Sequence, residues 1–162
     1  MRSFAANLLL PSLLDPPAGS PNQRAVKISK KAEYALRAVL AMCRGAHGAV
    51  FSIQSLAQDE RIPLKFLEQI LLVLRKGGLL HSKRGAGGGY TLGKPANRIT
   101  LGEIIELVDG PIEILPNGES ISAELTHVFQ ELRADMHSWF SKVSMADVLT
   151  REQARGVVSF EI

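Results

Sequence analysis

The sequence predicts a mainly α-helical fold carrying one small β-hairpin, and three observations predict it. Apolar residues recur at helical spacing in segment after segment from Ser29 onward. Two short apolar runs, around Leu79-Leu80 and Tyr90-Thr91-Leu92, flank a glycine-rich turn. Apart from Gly102, glycine and proline fall between these segments rather than inside them. At 162 residues the chain is about one domain with an added helix. It can bury a core without a disulfide or metal staple.

Pro11, Pro16, Pro17, Gly19 and Pro21 crowd the start of the chain. Proline locks φ and removes a donor, so residues 1–26 are expected to be a disordered extension. A single arginine, Arg2, ahead of the short run Leu8-Leu9-Leu10 makes a poor secretory signal.

Ser29 can cap a first helix. Ala32, Ala35, Leu36, Val39, Leu40 and Cys43 form its apolar face, and Gly45 and Gly48 end it. That places Cys43 inward as an inert thiol. Val50 and Phe51 form a short extended piece. Ser52 then caps a helix from Ile53 to about Asp59, with Leu56 and Ala57 inward. Arg61-Ile62-Pro63 breaks the chain, and Pro63 suits the first turn of a helix running to Lys76. Leu67, Ile70, Leu71 and Leu74 are that helix's stripe, and Gly77 or Gly78 caps it.

The hairpin follows. Beyond it, Thr100 and Glu103 have capping-box spacing ahead of a short helix that stops at Asp109-Gly110-Pro111. From Ser122 to Val143 the helical pattern is uninterrupted. Leu125, Val128, Phe129, Leu132, Met136, Trp139, Phe140 and Val143 make one wide stripe there, and Ser144 to Ala154 adds a short helix. The units so marked are an extension over 1–26, a core over 27–112 and a dimerisation helix with its tail over 113–162.

Charge separates along the chain. Residues 24–100 hold 14 Lys and Arg against 4 Asp and Glu, net +10, whereas residues 101–162 hold 4 against 11, net −7. A concentrated positive field suits a polyanion. It coincides with a helix, a turn, a helix and a basic hairpin, which is the arrangement of a winged helix-turn-helix. Double-stranded DNA is therefore the expected partner.

DNA readout needs phosphate contacts for position and base-edge contacts for sequence. Lys65, Glu68 and Gln69, near the start of the third helix, carry the donors and acceptors that pair with base edges. Phe66 and Arg75 of that helix, and Ser55 of the helix before it, complete the expected set there. Lys83 and Arg84 at the hairpin tip are placed to reach phosphate or the minor groove. Gly85, Gly87, Gly88 and Gly89 let the backbone lie close to a sugar-phosphate rail. A nucleotide cradle would need a helix directly after the glycines, and here a strand follows.

Other chemistries find little support. Cys43 is the only cysteine, so the chain holds neither an internal disulfide nor a cysteine cluster for a metal. No nucleophile–base constellation stands out, so neither an enzyme nor a cofactor is expected. No apolar run approaches the roughly 18 residues of a membrane span, and a cytoplasmic location is expected.

Five runs carry a family resemblance: Tyr34-Ala35-Leu36-Arg37, Phe66-Leu67-Glu68-Gln69-Ile70, Arg84-Gly85-Ala86-Gly87-Gly88-Gly89-Tyr90, Ile99-Thr100-Leu101-Gly102-Glu103 and Val108-Asp109-Gly110-Pro111-Ile112. On these the chain resembles the Rrf2 (Rrf-two) family of bacterial winged-helix transcription regulators, the IscR- and NsrR-like proteins. The resemblance implies a homodimer in which the long helix crosses its partner. It also implies base contacts from Glu68 and wing contacts from Arg84. Leu125, Val128, Leu132, Met136, Trp139 and Phe140 are the expected dimerisation residues. Members that hold an iron–sulfur cluster carry three cysteines shortly after the Gly-Pro-Ile step. Residues 113–125 contain none here. Glu33 sits where some members place an acidic cluster ligand, but without thiolates it holds no cluster. The expected function is a dimeric, sequence-specific repressor without a cluster. It reads a palindromic operator and takes its signal from an effector or a regulatory partner protein. The alternative is a winged-helix protein-interaction module that does not bind DNA.

Overall fold

The computed structural model describes residues 28–46, 48–114 and 122–158, with side chains to residue 155. The extension expected over 1–26 lies outside the described residues. The elements run α1 (Lys30–Arg44), α2 (Ile53–Asp59), α3 (Leu64–Lys76), β1 (Leu80–Lys83), β2 (Gly89–Leu92), a 3-10 turn (Ala96–Arg98), α4 (Leu101–Asp109), α5 (Ala123–Lys142) and α6 (Met145–Val158).

Local chemistry starts four of the helices. The hydroxyls of Ser29, Ser52, Thr100 and Ser122 accept the N–H groups of Ala32, Ser55, Glu103 and Leu125 at 3.0–3.2 Å. Each bond satisfies a donor that the helix itself leaves open. The capping box at Thr100 is only half formed. The Glu103 carboxylate turns away from the Thr100 N–H to Lys94 at 2.6 Å, while the next amide, Leu101 N–H, donates to the Val143 carbonyl. A nearby cation outcompetes the return bond to the cap.

α1 lies at the centre of the core. Ala32, Ala35, Ala38, Val39 and Met42 are buried against Leu67, Ile70, Leu71 and Leu74 of α3 and Ile104 and Val108 of α4. The inward face is rotated from the one expected. Ala38 and Met42 are fully buried, whereas Leu36, Leu40 and Cys43 are half-buried. Alanines on the inward face let neighbouring helices approach closely, and close packing rewards that fit. The burial that remains pushes the Cys43 thiol up to about 11.

The α2–α3 turn takes its shape from Arg61, whose φ is 50°. The Ile62 N–H donates to the Ala57 carbonyl at 2.9 Å, and its side chain is buried. β1 and β2 pair antiparallel from Leu80↔Leu92 to Lys83↔Gly89. Phe51 joins the sheet through two hydrogen bonds with Tyr90, at 2.8 and 2.9 Å.

α5 is different in kind, because none of its 20 residues is buried. It leans on α4, and the imidazole of His137 meets Glu106 at 3.0 Å. After α5 the chain returns to the winged core. Val143 and Met145 are buried, and the Met145 N–H donates to the Ile99 carbonyl at 2.8 Å. Ser144 and Asp147 start α6 with a reciprocal cap, Ser144 N–H to Asp147 Oδ2 at 2.8 Å and Asp147 N–H to Ser144 Oγ at 3.2 Å. Those bonds hold the Asp147 carboxyl below its usual value. α6 runs past the expected end at Ala154. No helix among the described residues is long and apolar enough to cross a membrane.

Candidate nucleic-acid interface

α3 is amphipathic, and the core pins one side of it. Leu67, Ile70, Leu71 and Leu74 are fully buried, which turns Lys65, Phe66, Glu68, Gln69 and Arg75 to the surface. Lys65 and Glu68 stand at 4.0 Å, the outer limit of an ion pair, with side chains 90% and 48% exposed. Such a pair contributes little in water, so both side chains are available. Phe66 is 53% exposed and meets Tyr34 of α1 edge-on, with ring centroids 6.3 Å apart. Lys30 and Arg37 both approach the Tyr34 ring, at 5.2 and 5.8 Å. Tyr34 thus carries cations on its ring beside an exposed aromatic, a role sequence reasoning did not assign. The signal was its spacing, three before Arg37 and four after Lys30, which puts all three on one α1 face.

Ser55 is exposed on α2, where its Oγ accepts the Ser52 hydroxyl at 2.8 Å. Arg75 belongs to the far end of α3. Its Nη1 lies 3.4 Å from Ser82 Oγ on β1, so it ties the helix to the hairpin rather than standing with the N-terminal polar group.

Lys83 and Arg84 are exposed at the hairpin tip. The glycines around them divide into two kinds. Gly85 and Gly87 have φ of 100° and 76° with open space beyond, so the turn itself demands them. Gly88 and Gly89 are demanded from inside. A Cβ on Gly88 would lie 2.5 Å from the Lys83 carbonyl oxygen, and one on Gly89 would overlap the Phe51 backbone. The glycine run is thus explained by the hairpin's own geometry before any ligand is considered.

The expected dimerisation residues line α5. Leu125, Val128, Leu132 and Trp139 are exposed, and Met136 and Phe140 are half-buried. Trp139 and Phe140 pack edge-on at 5.3 Å. On another face of α5, an open cleft of about 480 Å³ is lined by Gln130, Arg133 and His137 against Glu106 and Ile112.

The winged arrangement is shared with known proteins. Residues 28–151 match the family described as Rrf2, iron-dependent transcriptional regulator. A Mycobacterium tuberculosis protein named as an HTH-type transcriptional regulator is 37% identical over 131 residues, 76% of this chain and 81% of that one. The structure of CymR, the global cysteine regulator of B. subtilis, superposes with a TM-score of 0.68 at 31% identity, covering 77% of this chain and 97% of that one. T. potens IscR superposes with a TM-score of 0.65 at 26% identity, covering 78% of this chain and 88% of that one. The match runs from α1 into α6 and takes in the helix-turn-helix, the wing and the long helix: the chain belongs to the Rrf2 family of winged-helix, DNA-binding transcriptional regulators.

Proposed function

We propose that this protein is a homodimeric, sequence-specific repressor that reads a palindromic operator without an iron–sulfur cluster. The observation that carries the reading is the common exposure of the α3 polar group and the basic wing tip. Lys65, Glu68 and Gln69 supply base-edge chemistry. Phe66 stands among them on α3, Ser55 is exposed on α2, Arg75 sits at the far end of α3 beside the hairpin, and Lys83 and Arg84, with Gly85, Gly87 and Gly88, supply the cationic tip. The exposed α5 stripe supports pairing of two copies, which matches two half-sites about one helical turn apart. A bound dimer blocks access to promoter DNA by occupancy, which is the repressor reading.

The family's description names iron, and the donor set here does not fit a cluster. Thiolates are the usual ligands, and Cys43 is the only cysteine, half-buried on α1 with its thiol proton held tightly. Among the described residues, no three His, Cys, Asp or Glu side chains converge on a metal-sized site. We therefore assign the signal to an effector or a regulatory partner protein.

Selection from random duplex DNA followed by gel shift tests this reading. The expected outcome is an enriched inverted repeat that the protein retains at moderate salt. No retention of any duplex at low salt would overturn it in favour of a protein-interaction module.

A further inference from the structure

The α2–α3 turn sets the angle at which α3 presents its polar face, and an ion network grips that turn from two sides. Glu60 is the C-cap of α2, directly before Arg61 with its left-handed backbone. Its side chain is 18% exposed, the most enclosed carboxylate among the described ion pairs. Two arginines of α1 hold it. Arg37 donates to the Glu60 main-chain carbonyl, and its Nε lies 3.7 Å from Oε2. Arg44 brings Nη1 to 3.5 Å from Oε1.

Arg44 is itself held by α6. Its Nε and Nη2 donate to the two carboxylate oxygens of Glu152, at 3.2 and 2.7 Å. A guanidinium is a rigid planar fork. Fixing two of its nitrogens on Glu152 fixes where the third points, and here it points at Glu60. Without Glu152, the exposed Arg44 side chain gains rotamer freedom and leaves the turn to Arg37 alone.

We propose that Glu152 is a positioning residue: through Arg44 and Glu60 it sets the geometry of the α2–α3 turn, so that the C-terminal helix tunes how the reading helix meets DNA. The DNA part of this inference rests on the reading of α3 given above; the turn part does not. It follows that whatever displaces the last turns of α6 loosens the turn from a distance.

The full chain is used throughout, with circular dichroism and sedimentation confirming fold and assembly for each variant. Glu152→Gln should lower affinity for the selected operator about two- to five-fold, the scale of a partly exposed ion pair. Affinity for a scrambled duplex should not move, because phosphate contacts tolerate a small change of helix angle. Glu60→Gln should cost at least as much, and the double variant should lose little more, because the two act through one arginine. Exchanging charges in Arg44→Glu with Glu152→Arg rebuilds the α1–α6 pair but sets a carboxylate against Glu60, so operator affinity should stay low. Recovery in that exchange, an unchanged operator affinity in Glu152→Gln, or an equal loss on the scrambled duplex would overturn the relay and leave only a tether between α1 and α6. Amide exchange without DNA reads the turn directly, even if the charge exchange fails to fold. The Arg61 and Ile62 amides donate to Gln58 and Ala57 at 3.2 and 2.9 Å and should exchange faster in Glu152→Gln. Unchanged exchange would refute the coupling. Faster exchange in a protein with no operator preference would refute only the DNA reading of α3.

Discussion

Leu132→Glu is the perturbation that bears most directly on the proposed dimer. Leu125, Val128, Leu132 and Trp139 are 51%, 56%, 46% and 53% exposed on one face of α5. An exposed apolar stripe of this length normally marks an interface. Fully burying such a side chain is worth about 1.5–3 kcal/mol, so covering the exposed half is worth ~1 kcal/mol each. Two copies pairing along α5 would cover eight such side chains, for ~8 kcal/mol gross. Association itself costs roughly 4–15 kcal/mol, so a dimer at micromolar concentration needs all of these side chains together with the half-buried Met136 and Phe140. Leu132→Glu in both copies removes ~2 kcal/mol and sets two charges on the apolar stripe, weakening dimerisation by at least about 30-fold. Sedimentation velocity at micromolar concentration should show a dimer for the wild type and a monomer for the variant. Leu132 is not buried within its own chain, so the helical circular dichroism of the variant should persist. Operator affinity should fall with the dimer, because one half-site is then held at a time. A wild-type chain that is monomeric and still binds a palindrome tightly would refute the reasoning, as would an unchanged dimer in Leu132→Glu.

Replacing Lys83 and Arg84 by alanine should weaken DNA binding and flatten the dependence of log affinity on log salt by up to about 2, because each cation that neutralises a phosphate releases about one counterion; an unchanged slope would show that the wing does not touch the backbone. Glu68→Ala should alter the selected operator sequence more than overall affinity, at about 1–3 kcal/mol of discrimination, and identical selected motifs would reduce Glu68 to a surface charge. Alkylation of Cys43 should be slow near neutral pH and still rising at about 11; a profile that levels off near the ordinary thiol range of about 8.5 would refute its burial. The Asp147 carboxyl is held low by the Ser144 hydroxyl and amide. Its cap therefore stabilises the fold above the ordinary aspartate range and is lost as acid takes the pH down through the folded value. Asp147→Ala should lower the melting temperature near neutral pH, with the difference shrinking in acid; a constant difference would point to packing instead.

Where structure depends on near neighbours, the residues declare it. Ser29, Ser52, Thr100 and Ser122 cap helices because a short side chain reaches a backbone donor two or three residues on. Pro63 and Gly77 bound α3, and the period of Leu67, Ile70, Leu71 and Leu74 states which side turns inward. Once that side is buried, Lys65, Glu68 and Gln69 face outward, so the candidate interface is legible from the chain alone. Only tertiary packing decided the rest. Nearly every position of one α1 face is apolar or alanine, and burial chose Ala38 and Met42 over Leu36, Leu40 and Cys43. Glu103 left its capping box for Lys94 because the folded chain brought a cation to it. Gly89 is required because Phe51, distant in sequence, lies against it. Arg44 and Glu152 meet across 108 positions. Capping and periodicity act within a few residues and survive in the sequence as spacing. Contacts between distant segments depend on where the whole core puts them, and no local pattern records that.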